Sequence, residues 1–262
     1  MRMQNQNVRV LLTAAGVGSR LKPITDSLPK ALVPVAGKPL LEYWFDAFAH
    51  AGIRHVLVNT HHLPEQLSAY IADKNATGRF EVRETYEPTL LGSAGTITAN
   101  ADFVPRERES GSGGSGGAGE VLIIYSDNLS NVDLAKFLAF HRSHGDPFTM
   151  LLFRAQFPEK SGIAEVAPDG KVLSFIEKPK QPKSDLANAG MYAMSAAMWH
   201  EIASWKAFDI GFDVLPRIVA SGRMHAIEHT HVARDNKPYH RDIGTHESLA
   251  IATADAPGIF GA

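Results

Sequence analysis

The sequence predicts an α/β fold built on a mixed, mainly parallel sheet with helices on both faces. Two observations carry that prediction. Short runs of aliphatic and β-branched residues at 8–12, 53–58, 80–85, 121–125 and 148–153 alternate with segments at 40–51, 64–73 and 134–144 whose apolar residues recur at helical spacing. Strands separated by helices imply parallel pairing through right-handed crossovers. A glycine-rich turn also follows the first run directly, at the carboxyl end of a strand, where such sheets bind their ligands.

Taken in order, Val8-Arg9-Val10-Leu11-Leu12 reads as a buried strand. The helix at 40–51 presents Leu41, Trp44, Phe45 and Phe48 on one face and stops at Gly52. A strand at 53–58, a helix at 64–73 and a strand at 80–85 follow, and a turn at 84–97 leads into a further helix. The run 109–119 is almost wholly glycine and serine, has no side chain able to pack, and is expected to be a flexible loop inserted before the central strand 121–125. Helices are expected at 134–144, 195–205 and 212–220, the last ending at Gly222, and an exposed strand at 225–232. His229 and His231 would share a face of that strand, at a spacing more typical of surface residues than of zinc ligands. Residues 8–262 are expected to form one domain behind a disordered 1–7.

Composition narrows the function classes. The 262 residues are 44% hydrophobic and 21% charged, ordinary values for a chain that buries a sizeable core. A net charge of −2 without a lysine- or arginine-rich run argues against a nucleic-acid-binding surface. No apolar stretch is long enough to span a bilayer, and the polar start lacks the apolar core of a signal peptide, so a cytoplasmic location away from membranes is expected. The lack of cysteine removes disulfides, thiolate nucleophiles and sulfur-ligated metals.

The chemistry concentrates in Ala14-Ala15-Gly16-Val17-Gly18-Ser19-Arg20-Leu21 and in Leu28-Pro29-Lys30-Ala31-Leu32-Val33-Pro34-Val35. A backbone free of side chains can approach a phosphate closely. Successive N–H groups in such a turn form an anion-binding concavity, and Arg20 and Lys30 add positive charge beside it. That combination suggests a triphosphate site. Neither a dinucleotide fingerprint nor a Walker loop fits, because Ser19-Arg20 stands where a third glycine would and no Gly-Lys-Ser/Thr follows. What remains, G-x-G-S-R-L-x-P-x-T and then P-K-A-L-V-P-V-x-G-K-P-L within residues 12–40, resembles the signature of the sugar-1-phosphate nucleotidyltransferases.

Later segments extend the resemblance over about residues 8–252. Leu91-Gly92-Ser93-Ala94-Gly95 looks like the family loop beside the nucleotide base, in a form most similar to that of mannose-1-phosphate guanylyltransferases. Ser126-Asp127, Gly162, Glu177-Lys178-Pro179, Asn188-Ala189-Gly190-Met191-Tyr192 and Asp242-Ile243-Gly244-Thr245 are similar to further family motifs, although Ser161 replaces a tyrosine-like residue. The resemblance implies a Rossmann-like, nucleotide-diphospho-sugar transferase fold. It implies a reaction between a nucleoside triphosphate, GTP favoured, and a hexose 1-phosphate, giving a nucleotide-diphospho-sugar and pyrophosphate. Nucleotide contacts are implied for Ala14, Ala15, Gly16, Gly18, Ser19, Arg20, Lys30, Gly92 and Ser93. Catalytic roles fall to Arg20, Lys30 and Asp127, and Mg2+ to Asp127 and Asp242. Gly162, Glu177, Lys178 and Asn188 are implied for the sugar phosphate. A heptose-1-phosphate guanylyltransferase and a uridylyltransferase of an amino-sugar 1-phosphate are the alternatives within the class. A regulatory subunit that binds a nucleotide sugar without turnover is the alternative outside it, and a homodimer is the candidate assembly.

Overall fold

The computed structural model describes residues 5–106 and 119–261, so the glycine/serine loop expected at 109–119 lies, Gly119 apart, outside the described residues. In chain order the strands are β1 (Arg9–Thr13), β2 (Pro34–Val35), β3 (Lys38–Pro39), β4 (His55–Thr60), β5 (Glu81–Tyr86), β6 (Glu120–Tyr125), β7 (Asn128–Ser130), β8 (Phe148–Arg154), β9 (Gly162–Val166), β10 (Val172–Glu177), β11 (Leu186–Ser195), β12 (Met224–Glu228) and β13 (His240–Asp242). The helices are α1 (Ile24–Ser27), α2 (Leu40–Ala51), α3 (Pro64–Ala76), α4 (Gly92–Ala99), α5 (Leu134–Ser143), α6 (Ala196–Ser204), α7 (Leu215–Ala220) and α8 (His246–Phe260). The chain forms two compact units interleaved in sequence: residues 5–90, 124–135 and 233–261 make the first, and 91–106, 119–123 and 136–232 the second.

In the first unit β1, β4 and β5 run parallel, in register from Arg9↔His55 to Thr13↔Asn59 and from His55↔Glu81 to Thr60↔Tyr86. The crossovers are α2 and α3. Helix α2 buries Leu40, Leu41, Trp44, Phe45, Ala47, Phe48 and Ala51, a stripe at 3.6-residue spacing, and Gly52 ends it with φ +76°. Residues 5–7, part of the start expected to be disordered, form a turn in which buried Asn5 donates to Ala51 O at 2.9 Å. Beyond β6, Ser126 N donates to Thr13 O (3.1 Å), which carries the chain past the end of β1. There β7 pairs antiparallel with β13 over a cluster of Val35, Leu40, Leu129, Ile243, Ala252 and Ala256.

In the second unit β10, β9, β11 and β8 are antiparallel neighbours, and β12 joins β8 in parallel. Helix α6 starts where Ser195 Oγ accepts from Met198 N and packs Trp199 edge-on against Phe103. Parallel strands in one unit and antiparallel ones in the other make this a mixed α/β fold with a mainly parallel central sheet, as the alternation of elements predicts. Among the described residues no helix is long and apolar enough to cross a membrane.

One expected element is corrected. The strand predicted at 225–232 ends at Glu228, where its parallel register with Leu152 stops, and His229–His231 turn into a short 3₁₀ helix. His229 is buried there, and burial pushes its imidazole down to about 4. The two histidines therefore do not share a strand face.

Candidate functional site

The turn after β1 is held by buried polar side chains. Ala14 N donates to Asn59 Oδ1 (2.7 Å), and Asn59 Nδ2 donates in turn to Glu87 Oε1 (2.9 Å). Asn59 and Glu87 are both buried, and a polar pair bonded in a low-dielectric interior admits few alternative arrangements. Ala15 keeps an ordinary backbone, whereas Gly18 has φ +68°. A Cβ on Gly18 would lie 2.9 Å from Thr25 Cγ2 and 3.1 Å from Lys30 Cβ, so both conformation and space call for glycine. Gly16 differs, because a Cβ there would meet nothing within 4 Å. Ser19 and Arg20 follow in an exposed helical turn.

Lys30 lies in the next turn and is only 8% exposed. Its Nζ donates to Asp127 Oδ2 at 2.6 Å. The β7–β13 ladder sets Asp242 opposite Asn128, and Ile243 N donates to Asp127 O at 2.8 Å, so two aspartates far apart in sequence become neighbours. Burial first, and then the charge of Asp127, push the Asp242 carboxyl above its usual range. Lys30, Arg20 and a hydrogen bond from Gly244 N oppose that rise. A Cβ on Gly244 would fall 2.6 Å from Arg20 Nη2 and closer still to Asp242 Oδ1. Arg20, Lys30, Asp127 and Asp242 thus form one electrostatic cluster, within a single unit.

The expected sugar and base residues lie in the second unit. Gly92 has φ +76° and begins α4, where a Cβ would collide with Phe208 O, while Ser93 Oγ accepts from Ile210 N at 2.8 Å. Gly162 opens β9 beside the Glu177 carboxylate, its Cβ position 2.5 Å from Glu177 Oε2. Burial, partly offset by Lys178 and reinforced by Asp209, raises the Glu177 carboxyl. Lys178 is exposed, with φ +49°. Asn188 is engaged within the fold: its Oδ1 accepts from Gly190 N (2.9 Å) and its Nδ2 donates to Tyr192 OH (2.7 Å) at a break in the β11–β8 register.

Sequence reasoning missed Asn59, Glu87, Asp209 and Gly211, and it placed Gly244 in a motif without giving it a role. Asp209 had a signal, since an aspartate ahead of a helical run is a cap candidate; it caps the π-helical turn Ile210–Val214 by accepting from Phe212 N. Asn59 and Glu87 meet across 28 positions and had none.

A separate cluster in the second unit, His144, Asp146 and His225, has ligand-type atoms within 4.8 Å of one another. The Lys171 ammonium already pairs with Asp146, and the His144 and His225 rings stack at 4.2 Å and 11°. Parallel rings cannot both aim an in-plane nitrogen at one ion, so the cluster reads as a packed polar network.

Residues 9–257 match the family model described as Nucleotidyl transferase. A mannose-1-phosphate guanylyltransferase of Mycobacterium tuberculosis is 29% identical over 253 residues, covering 97% of this chain and 66% of that protein. A UTP–glucose-1-phosphate uridylyltransferase of Synechocystis is 26% identical over 228 residues, covering 82% of this chain and 56% of that protein. The chain therefore spans between 56% and 66% of the length of these two relatives. A solved structure from Bacillus anthracis, named as a glucose-1-phosphate thymidylyltransferase, superposes with a TM-score of 0.79 at 23% identity and covers 95% of both chains.

Proposed function

Because the chain belongs to the nucleotidyl transferase family, we propose that it joins a nucleoside triphosphate to a sugar 1-phosphate, releasing pyrophosphate and forming a nucleotide-diphospho-sugar. The observation that carries this reading is the grouping of Arg20, Lys30, Asp127 and Asp242 beyond β1.

A sugar 1-phosphate is already an anionic nucleophile and needs no side chain to deprotonate it. The obstacle is its repulsion from the triphosphate and the alignment of its attack on the α-phosphorus. Arg20 and Lys30 supply positive charge to the triphosphate and the pyrophosphate leaving group, and the turn at 14–18 supplies backbone N–H groups. The space that a Cβ on Gly16 would fill leaves room for phosphate oxygens. Glu177 accepts from sugar hydroxyls, with Gly162 against the ring and Lys178 on the sugar phosphate. Asn188 reaches the sugar with the hydrogen-bonding capacity left over from Gly190 and Tyr192.

Asp127 and Asp242 fit a magnesium ion. They offer hard oxygen donors, and of the two causes that raise the Asp242 carboxyl, burial first and then the Asp127 charge, the second is what a divalent cation relieves. When bound, the ion supplies Lewis-acid polarisation and charge neutralisation at the phosphates.

GTP and mannose 1-phosphate are the substrates this reading favours. Leu91-Gly92-Ser93-Ala94-Gly95 and the Ser126 before Asp127 support guanine, as does the likeness to the Mycobacterium tuberculosis guanylyltransferase. Competition among GTP, UTP, dTTP and ATP with mannose 1-phosphate, glucose 1-phosphate and a heptose 1-phosphate tests the assignment. GTP preference supports it, and a clear preference for UTP or dTTP rejects guanine while leaving the reaction class intact.

A further inference from the structure

In the second unit, residues 208–211 touch both of the loops assigned above to ligands. At one end the 92–94 turn lies on Phe208: Ala94 N donates to Phe208 O at 3.0 Å, and a Cβ on Gly92 would lie 2.9 Å from Phe208 Cδ1. At the other end Gly211 lies between two carboxylates, with its Cβ position 2.9 Å from the sugar-facing Glu177 Oε2 and 3.2 Å from Asp209 Oδ1. Gly162 crowds the same oxygen from β9. Asp209 sits between these ends. Its Oδ1 accepts from Phe212 N (2.9 Å), its Oδ2 accepts from Ser93 Oγ (3.3 Å), and Ser93 Oγ accepts in turn from Ile210 N.

We propose that Asp209 is a positioning residue, one side chain that fixes the Ser93 turn and sets a second carboxylate beside Glu177. The inference rests on the nucleotide and sugar roles proposed for those two loops. Its consequence is a preference among sugars. Carboxylates only accept hydrogen bonds, so two of them side by side favour a neutral ring rich in hydroxyl donors and repel a ring that carries its own carboxylate.

Among the described residues two charged groups act on Glu177. Lys178, on its own strand end, attracts the charged form, and Asp209, from the 208–211 segment, repels it. Gly162 and Gly211, which lie against the Glu177 carboxylate, bring no charge. A role for Asp209 limited to capping the turn Ile210–Val214 makes a different prediction, because asparagine caps about as well as aspartate. Removing only the charge then changes nothing.

The test uses the whole chain with Asp209→Asn and Asp209→Ala, read by a carbon-13 pH titration of the glutamate side chains, with Glu177→Gln to assign the signal. Asp209→Asn is expected to move the Glu177 midpoint to lower pH, by about 0.5 pH unit or more, the direction set by loss of a like charge. Asp209→Ala is expected to speed hydrogen exchange at Ala94 N–H and Ile210 N–H by about tenfold or more, whereas Asp209→Asn leaves both near their original rates. With substrates, Asp209→Asn should narrow the kcat/KM preference for mannose 1-phosphate over glucuronic acid 1-phosphate by about tenfold. An unmoved Glu177 midpoint in Asp209→Asn overturns the proposal. Should the unaltered protein turn over no sugar phosphate, the reaction proposed above fails, and the titration still decides the pairing of Asp209 with Glu177.

Discussion

Lys30 and Asp127, 97 positions apart, meet with Nζ 2.6 Å from Oδ2 just past the end of β6. The lysine side chain is 10% exposed and the aspartate side chain 35%, so the pair is half sheltered from water. A lysine placed there neutralises one carboxylate of the Asp127–Asp242 pair. Asp242 feels all three of the other charges: burial and Asp127 raise its carboxyl, and Lys30 and Arg20 oppose the rise.

Lys30→Ala should lower turnover by about two orders of magnitude or more, the usual effect of losing one charged transition-state contact. It should also cost about 1–2 kcal/mol of stability, less than a fully buried pair because Asp127 keeps contact with water. Steady-state kinetics and urea denaturation of the same preparation check both. Unchanged turnover with lowered stability would reduce Lys30 to a structural counter-ion.

Asp242→Asn should be inactive yet folded, with a pH signature. The folded Asp242 carboxyl is raised above its ordinary value of 3.8, so its contribution to stability is fully present below that value and is lost as pH rises through the raised midpoint. Asparagine cannot lose it. The stability of the variant relative to the unaltered protein should grow as pH is raised from about 4 towards neutrality, measured by urea midpoints without magnesium. A difference independent of pH would contradict the burial and repulsion assigned to Asp242.

Gly16→Ala and Gly244→Ala separate space for ligand from space for protein. A Cβ on Gly16 meets nothing, so stability should hold or rise by about 0.4–1 kcal/mol, as unfolded-state entropy falls. KM for the nucleotide should nevertheless increase. A Cβ on Gly244 would collide with Asp242 and Arg20, so kcat should fall with little help from higher substrate. Melting temperatures and a kcat-against-KM comparison distinguish the two.

His141, His144 and His229 are each held down to about 4, burial being the largest cause in every case. Between the ordinary value of 6.5 and about 4 the unfolded chain takes up protons that the folded chain refuses, so stability should fall as pH drops through that window. His144→Gln should flatten part of the slope. A urea midpoint unchanged between pH 7 and pH 5 would show that these imidazoles are not sheltered.

Much of this was legible in the sequence because it is local. The apolar stripe of α2 and its stop at Gly52 are read from spacing alone, and Gly18 declares a turn that the backbone confirms. The nearness of Asp127 to Asp242 was legible only through family resemblance, since the β7–β13 ladder that creates it has three residues per strand and no distinctive pattern. What escaped was long-range and polar. Nothing near Asn59 in sequence says that its amide will join Ala14 N to Glu87, and nothing near Asn188 says that the irregular register of β11 will give its side chain two partners within the fold. His229 failed differently, because five residues of regular strand before it gave no sign that the ladder would stop.

The most direct test of the central claim is a product analysis with GTP, mannose 1-phosphate and magnesium. The account predicts equal amounts of pyrophosphate and a guanosine diphosphate sugar, with both products falling together by about 100-fold in Lys30→Ala and in Asp242→Asn. Failure of every nucleoside triphosphate and sugar 1-phosphate pair to give a diphospho-sugar, in protein shown to be folded, would contradict it and leave a binding module in its place.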